Sequence, residues 1–257
     1  MLATTTIILL GIAFFIIAAL YASVGFGGGS SYLAILSLYL KDMLVMKTAA
    51  LLCNLVVVSG GSYLFFKKGY FDWKKCLPVV LSGVCMAFLG ARIHLTQRTF
   101  FIALGSVLAL SGLLLFLQLF RKRQDAVVRK TPLLFDVVLG AGIGFLSGMV
   151  GIGGGILLSP VLNLMRWDTP KRIAAVASFF IFVNSIAGLL GQASNGTFKA
   201  EAHLLLVLLV AVFLGGQLGS RISLRIARPV IIKALTGILV FYIGTKLILQ
   251  YTTGIHI

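Results

Sequence analysis

The sequence has few acidic residues and few side chains that bind metals. Among its 257 residues are 6 Asp and Glu, 3 His and 3 Cys. Cys53, Cys76 and Cys85 form no C-x-x-C pair, and their spacing matches neither a zinc site nor a disulfide framework. The sequence also lacks H-E-x-x-H and G-x-S-x-G, which are motifs of zinc proteases and serine hydrolases. We therefore expect no enzyme activity, no catalytic residue, no metal site and no cofactor.

Charged residues of either sign are scarce, whereas apolar residues are abundant. The chain is 11% charged and 60% hydrophobic, with a mean hydropathy of +1.09. Soluble domains are about half apolar and about a quarter charged. Apolar runs of about 17 to 22 residues recur along the chain, and a helix of that length crosses about 30 Å of hydrocarbon. The sequence predicts an all-α polytopic membrane protein.

The net charge of +16 comes from Lys and Arg that stand in short clusters between the apolar runs. Nucleic-acid binding would need one basic face or tail, so we expect the lipid bilayer and no nucleic acid as a partner. Cytoplasmic loops are enriched in Lys and Arg. With the loop 121–132 inside, the inner loops hold Lys67, Lys68, Lys74, Lys75, Arg121, Lys122, Arg123, Arg129, Lys130, Arg166, Lys171, Arg172, Arg221, Arg225 and Arg228. The outer loops hold Lys41, Lys47, Arg92, Arg98 and Lys199. This bias predicts a multi-pass protein of the cytoplasmic membrane with both termini outside.

A glycine cluster occurs twice, as SVGFGGGSSYL from Ser23 and as MVGIGGGILLS from Met149. Further features recur in the same order, with Asn54 matching Asn184 and Arg92 matching Arg221. The repeat predicts a first transmembrane half at residues 1–120, a cytoplasmic hinge at 121–132 and a second half at 133–257. An odd number of segments per half, five in each, predicts an inverted repeat. The predicted segments are 6–22, 30–40, 48–66, 76–91 and 99–120, and then 133–150, 156–165, 174–195, 202–220 and 230–251.

The glycine clusters break helices within apolar sequence, and each is followed by a short segment. Backbone outside a helix is tolerated at membrane depth only where it is buried in protein or lines a water-filled cavity. A new helix that begins there presents free N–H groups and the positive end of its dipole, which suit an anion. Paired glycine-interrupted segments also point to the binding site of a transporter. The predicted substrate-binding residues of the two breaks are Gly25, Gly27, Gly28, Gly29, Ser30, Ser31, Gly151, Gly153, Gly154, Gly155 and Ile156.

Other polar residues lie inside the apolar runs. Asn54 and Asn184, and Thr48 and Ser178, are repeat mates that we also predict to bind substrate, although such residues also hydrogen-bond neighbouring helices. Gln192 and Gln217 are weaker candidates. Arg92 and Arg221 close L-G-(A/S)-R stretches and form a second rank, since an Arg at a span end commonly anchors the helix at the interface.

The stretch GAGIGFLSGMVGIGGGILLSPVL, which begins at Gly140, resembles the signature of the TauE/SafE sulfite-exporter family. ASVGFGGGSSYLAIL is similar to the first half of that family, so the resemblance covers nearly the whole chain. It implies a permease that moves sulfur-containing or carboxylate anions, such as sulfite, sulfoacetate or other organosulfonates. The first half departs from the pattern, because Ala34 stands where the second half has Pro160.

The predicted function is a secondary transporter that exports a small anion. The six acidic residues fall in predicted loops or at span edges, so no carboxylate for proton coupling is evident. With the cytoplasm negative, export of one anionic charge gains about 2.3 kcal/mol per 100 mV without a coupling ion. The alternatives are a proton-coupled uptake permease of the same anions and a non-transporting membrane assembly partner. The sequence is compatible with a homo-oligomer.

Overall fold

The computed structural model describes residues 4–23, 26–40, 42–120, 131–223 and 229–253. Within these ranges the chain forms ten α-helices and no strand. The helices are α1 (Thr4–Ala22), α2 (Gly29–Tyr39), α3 (Met43–Lys67), α4 (Trp73–Ala91), α5 (Gln97–Phe120), α6 (Leu133–Val150), α7 (Gly155–Met165), α8 (Pro170–Ser194), α9 (Ala202–Ser223) and α10 (Pro229–Thr253). Seven helices of the described ranges are long and apolar enough to cross a membrane. The predicted all-α polytopic class is confirmed, whereas most of the predicted hinge lies outside the described residues.

Two long helices begin earlier than the hydropathy pattern predicts. The Asp42 carboxylate accepts hydrogen bonds from the backbone N–H groups of Leu44 (2.9 Å) and Val45 (3.5 Å), and this N-cap starts α3 at Met43 instead of Thr48. Helix α8 begins at Pro170, a residue type favoured in the first helical turn. The assignment of Lys47 to an outer loop was therefore wrong, because Lys47 lies inside α3.

Two helix pairs pack in parallel through small residues. In α4 and α6, Gly140 faces Val79 and Gly148 faces Ala87, so residue numbers rise in the same direction along both helices. In α1 and α9, Gly11 faces Val207 and Gly219 faces Ala19 in the same sense. Because glycine has no side chain, the two backbones can approach each other closely at these positions, as is typical of membrane helix pairs.

Two other pairs pack antiparallel and join the halves of the chain. Helix α3 crosses α8 through hydrogen bonds from Thr48 to Gln192 (2.9 Å) and between Ser62 and Ser178 (2.9 Å). Helix α5 lies against α10, where Arg98 Nε donates to the carbonyl oxygen of Tyr251 (3.0 Å). The glycine breaks of both halves lie beside the α3–α8 crossing, because Gly29 packs against Asn54 of α3 and Gly155 packs against Ile181 of α8.

Each short helix folds back along the helix that precedes it. The Phe14 ring of α1 stacks on the Tyr32 ring of α2, with centroids 4.5 Å apart. Trp167, just beyond α7, donates from Nε1 to Oδ1 of Asp136 in the first turn of α6 (2.9 Å). The α6–α7 pair thus returns to the level at which it began, so α1–α2 and α6–α7 are hairpins with the glycine breaks at their tips.

Candidate functional site

The two glycine breaks meet at one small cavity. The first break contributes Phe26 to Ser30, and the second contributes Ile152, Gly155 and Ile156. Tyr21, Asn54 and Ile181 complete the lining. The cavity has a volume of about 10 Å³, which is room for about one water molecule. The cavity is therefore a meeting point of the two halves that is closed to larger solutes in this conformation.

The helices α2 and α7 begin with the same backbone geometry. Their N-cap residues, Gly28 (φ 88°, ψ −3°) and Gly154 (φ 82°, ψ −15°), are both left-handed. Non-glycine residues adopt this region at a cost of about 1–2 kcal/mol. Neither N-cap has a side chain that bonds the following N–H groups, as the capping residues of many helices do.

The first N–H groups of both helices consequently lack partners among the residues that the structure describes. In α2 the first backbone bond is Tyr32 N to Gly28 O (3.0 Å), and in α7 it is Leu157 N to Gly154 O (3.1 Å). No acceptor among the described residues pairs with the N–H groups of Gly29, Ser30, Ser31, Gly155 and Ile156. Each helix start also carries the equivalent of about half a positive charge. The arrangement is suited to an anion.

Asn54 connects the two breaks across the cavity. Its Nδ2 donates to the carbonyl oxygen of Ile152 in the second break (3.2 Å). Its amide also packs against Gly29 of the first break and against Gly153, where a Cβ would lie 2.8 Å from Nδ2. The Oδ1 atom is buried and has no hydrogen-bond partner among the described residues. Asn54, like Ser30, is therefore a predicted polar residue that lines the cavity.

The other predicted residues are distributed around the site. Asn184 is buried and neither amide atom has a partner in the described part of the chain, but it does not line the cavity. Ser31 is buried and its hydroxyl bonds Tyr21. Thr48 and Ser178 bond side chains across the α3–α8 crossing, so they join helices instead of lining the cavity. Gly25 lies outside the described residues.

The two second-rank arginines are exposed at helix ends. Arg92 stands at the C-cap of α4, with its guanidinium 5.8 Å from the centre of the Phe88 ring. Its carbonyl oxygen accepts a hydrogen bond from Asn195 (2.7 Å). Arg221 is exposed in the last turn of α9. Neither lines the cavity, and both positions suit interfacial anchors.

Three buried residues near the two breaks or the α3–α8 crossing stand outside the predicted substrate-binding set. Ser185 has an unpartnered hydroxyl that lies 3.2 Å from the position of a Cβ on Gly153. Gln192 bonds Thr48 and leaves its Nε2 without a partner. Lys47 is 4% exposed within α3. The position of Ser185, next to Asn184 in an apolar run, is a signal that could have identified it.

An ion-pair cluster fixes the loop between α7 and α8. Asp168 accepts a hydrogen bond from Lys75 Nζ (2.9 Å) and lies 3.7 Å from Arg172 Nη1. Burial alone raises the pKa of Asp168, but the bonds from Lys75 and Thr169 and the two positive charges lower its pKa below the usual value. No group of three metal-ligating side chains occurs in the described part of the chain.

Comparison with known proteins relates the chain to one family. The model of the sulfite exporter TauE/SafE family matches residues 10–247. "Probable membrane transporter protein y4hK" of Sinorhizobium fredii is 34% identical over 241 residues, which cover 93% of this chain and 97% of that protein. "Probable membrane transporter protein YdhB" of Bacillus subtilis is 22% identical over 227 residues, with 86% and 92% covered. No solved structure matches the chain significantly.

Proposed function

The chain belongs to the sulfite exporter TauE/SafE family, and we propose that it is a secondary transporter of small anions in the cytoplasmic membrane. The observation that carries this proposal is the pair of helix starts at one cavity. N–H groups of α2 and α7 that have no partner among the described residues converge there, and none of the described lining residues is acidic. An anion would satisfy donors that the described part of the protein leaves unpaired.

We propose sulfite and organosulfonates as the first substrate class and small carboxylates as the second. The family description supports sulfite. Backbone N–H groups accept any small oxyanion of suitable size, because they contribute charge and hydrogen bonds without a side-chain code. Asn54 and Ser185 add an amide and a hydroxyl next to Gly153, and both side chains can donate to an oxygen.

We propose that residues 1–120 and 133–257 form an inverted repeat whose two-fold axis lies in the membrane plane. Mates α3 and α8 are antiparallel, as are mates α5 and α10. When the two halves are exchanged, α4 takes the place of α9 and α6 takes the place of α1. The α4–α6 pair therefore corresponds to the α9–α1 pair, and both pairs are parallel. With an offset of 130, the bond between Thr48 and Gln192 corresponds to the bond between Ser178 and Ser62. Antiparallel mates support an axis perpendicular to the helices.

Alternating access follows from this symmetry and from the closed cavity. Room for one water molecule is too small for sulfite, which has four heavy atoms. The hairpins must separate to admit the anion, and an inverted repeat provides equivalent movements toward either side. We propose that the termini lie outside and that the anion is exported. Export of one anionic charge from the negative cytoplasm gains about 2.3 kcal/mol per 100 mV.

Proton-coupled uptake is the second candidate, and Asp136 is the observation that favours it. This carboxylate is 6% exposed in the first turn of α6. However, it accepts hydrogen bonds from Trp167 Nε1 and Thr131 Oγ1, both 2.9 Å long. The bond from Trp167 ties the end of the α6–α7 hairpin to its start, so we assign this carboxylate a role in holding the hairpin together.

Purified protein in liposomes tests the function and its energy source. We expect labelled sulfite to move in response to a potassium-diffusion potential, with the anion accumulating on the positive side. A pH gradient alone should drive no accumulation. Transport that requires the pH gradient would support the proton-coupled candidate, and absence of transport for sulfite, sulfoacetate and acetate would favour an assembly partner.

A further inference from the structure

Lys47 is a buried cation close to the second glycine break. It lies one turn into α3 and is 4% exposed. A Cβ built on Gly151 would lie 3.0 Å from Lys47 Cγ, so the lysine stem packs directly on the backbone of the break. The ammonium Nζ lies 5.8 Å from the centre of the Phe100 ring. A charged group is therefore enclosed among helices α3, α5 and the tip of the α6–α7 hairpin.

The ammonium has no carboxylate partner among the residues that the structure describes. The ion pairs found there are Lys75–Asp168, Arg172–Asp168 and Lys199–Asp42. Asp42, the acid nearest to Lys47 in sequence, is 43% exposed and is occupied by the N–H groups of α3 and by Lys199. A buried charge without a partner is unfavourable, so a counter-ion would stabilise this lysine.

A simple interfacial anchor does not explain this lysine. A lysine that snorkels keeps its ammonium in water and buries only its stem. Lys199, at the same end of the molecule, behaves in this way, because its side chain is 57% exposed. Lys47 is enclosed instead, which is the situation in which an ionisable residue within a membrane protein marks a pathway.

The position of Lys47 relates it to the cavity. Lys47 and Asn54 are seven residues apart, so they share one face of α3 with about 10 Å between their levels. Along the second break, Gly151 lies against Lys47 and Gly153 lies against Asn54. The lysine is thus two turns from the cavity, toward the end of α3 that we propose to face outside.

We infer that Lys47 is a docking residue for the transported anion on the outer side of the cavity. Its ligand is a small oxyanion, either a sulfur oxyanion or a carboxylate. With an offset of 130, the mate of Lys47 is Ala177, so the second half has no equivalent cation. The docking residue therefore makes the outer half of the path electrostatically different from the inner half. This inference rests on the proposed anion transport.

Removal of the charge tests the inference. Lys47→Met keeps an unbranched apolar stem, Lys47→Arg keeps the charge, and Lys199→Met removes an exposed cation from the same end as a matched control. Each variant is measured for stabilisation by sulfite in detergent and for sulfite transport in liposomes. Melting without sulfite is measured as well, and Lys47→Gln provides a second neutral variant if Lys47→Met is poorly folded.

We expect both neutral variants to bind sulfite at least tenfold more weakly, while Lys47→Arg stays within about threefold and Lys199→Met is unchanged. Neutral variants that bind and transport like the wild type would overturn the role of Lys47 and leave anion transport intact. A wild-type protein that neither binds nor transports any tested anion would overturn both proposals.

Discussion

Substitution of Gly154 by alanine tests whether the left-handed helix start creates the site. The backbone there has φ 82°, and an L-residue in this conformation is destabilised by about 1–2 kcal/mol. The added Cβ would also lie 2.8 Å from Phe180 Cε1, 3.1 Å from Ser147 Cβ and 3.2 Å from Ile143 Cγ2. Crowding of this kind adds about 1–3 kcal/mol.

The crowding cannot be relieved simply by rotation of the phenyl ring. Phe180 is fully buried, and its ring already packs against Gly83 of α4. The two effects together amount to about 2–5 kcal/mol. If the break distorts to relieve even the smaller value, the binding-competent geometry becomes about thirtyfold less populated. We therefore expect Gly154→Ala to lose most of its anion binding and transport.

Gly196→Ala is the matched control for the backbone term. Gly196 also has a positive φ of 65°, but no atom lies within 4 Å of its would-be Cβ. It lies in the turn after α8, away from the cavity lining. Both variants should melt at lower temperature in detergent, yet Gly196→Ala should bind and transport sulfite as the wild type does. Equal transport by the two variants would refute the role assigned to the helix start.

Three further predictions concern other parts of the molecule. Asn54→Ala removes the link to Ile152 and should weaken anion binding by about 5- to 150-fold, since an unmade polar contact costs about 1–3 kcal/mol; unchanged binding in a titration would exclude Asn54 from the site. A single cysteine at Gln124, in a cysteine-free background, should resist an impermeant reagent applied to intact cells, because the distribution of Lys and Arg predicts that this loop is cytoplasmic; labelling from outside would reverse the predicted topology. Asp168→Asn should lower the melting temperature at about pH 7, and the difference from the wild type should shrink as the pH falls below about 4, because a lowered native pKa stabilises the fold only while the carboxylate is charged. A difference that stays constant down to about pH 3 would contradict the ion-pair role of Asp168.

The helical architecture could be predicted because hydropathy determines which segments avoid water. The errors lie at helix starts, where local capping decides. Asp42 caps α3 and Pro170 opens α8, so polar and charged residues that looked like loop residues belong to helices. The assignment of Lys47 failed for this reason, because a charged residue was taken to mark a loop. The inverted repeat stays a prediction that the paired helix contacts support.

The candidate site could be predicted in part because the repeat identified its backbone. Asn54 and some residues of both glycine breaks line the cavity, whereas Gly151, Gly153 and Gly154 do not, and a role of these residues in substrate binding stays a prediction. The repeat does not point to Ser185, since its mate at an offset of 130 is the apolar Leu55. Asn184 did have the signal but lies away from the cavity lining. Which face of a helix points inward depends on its packing partners, and these are not encoded in the spacing of one helix.

The bond between Asn54 and Ile152 indicates how an anion could open the cavity. It is the hydrogen bond by which α3 of the first half holds the tip of the second hairpin. An entering anion needs donors, and the Asn54 amide can supply one only if it leaves the Ile152 carbonyl. Binding would then exchange an internal contact for a substrate contact and release the tip of the α6–α7 hairpin. The ligand in this way favours the open state through contacts that the closed state does not offer. Because Lys47 packs on Gly151 of the same tip, movement of the tip would change the packing around Lys47 directly.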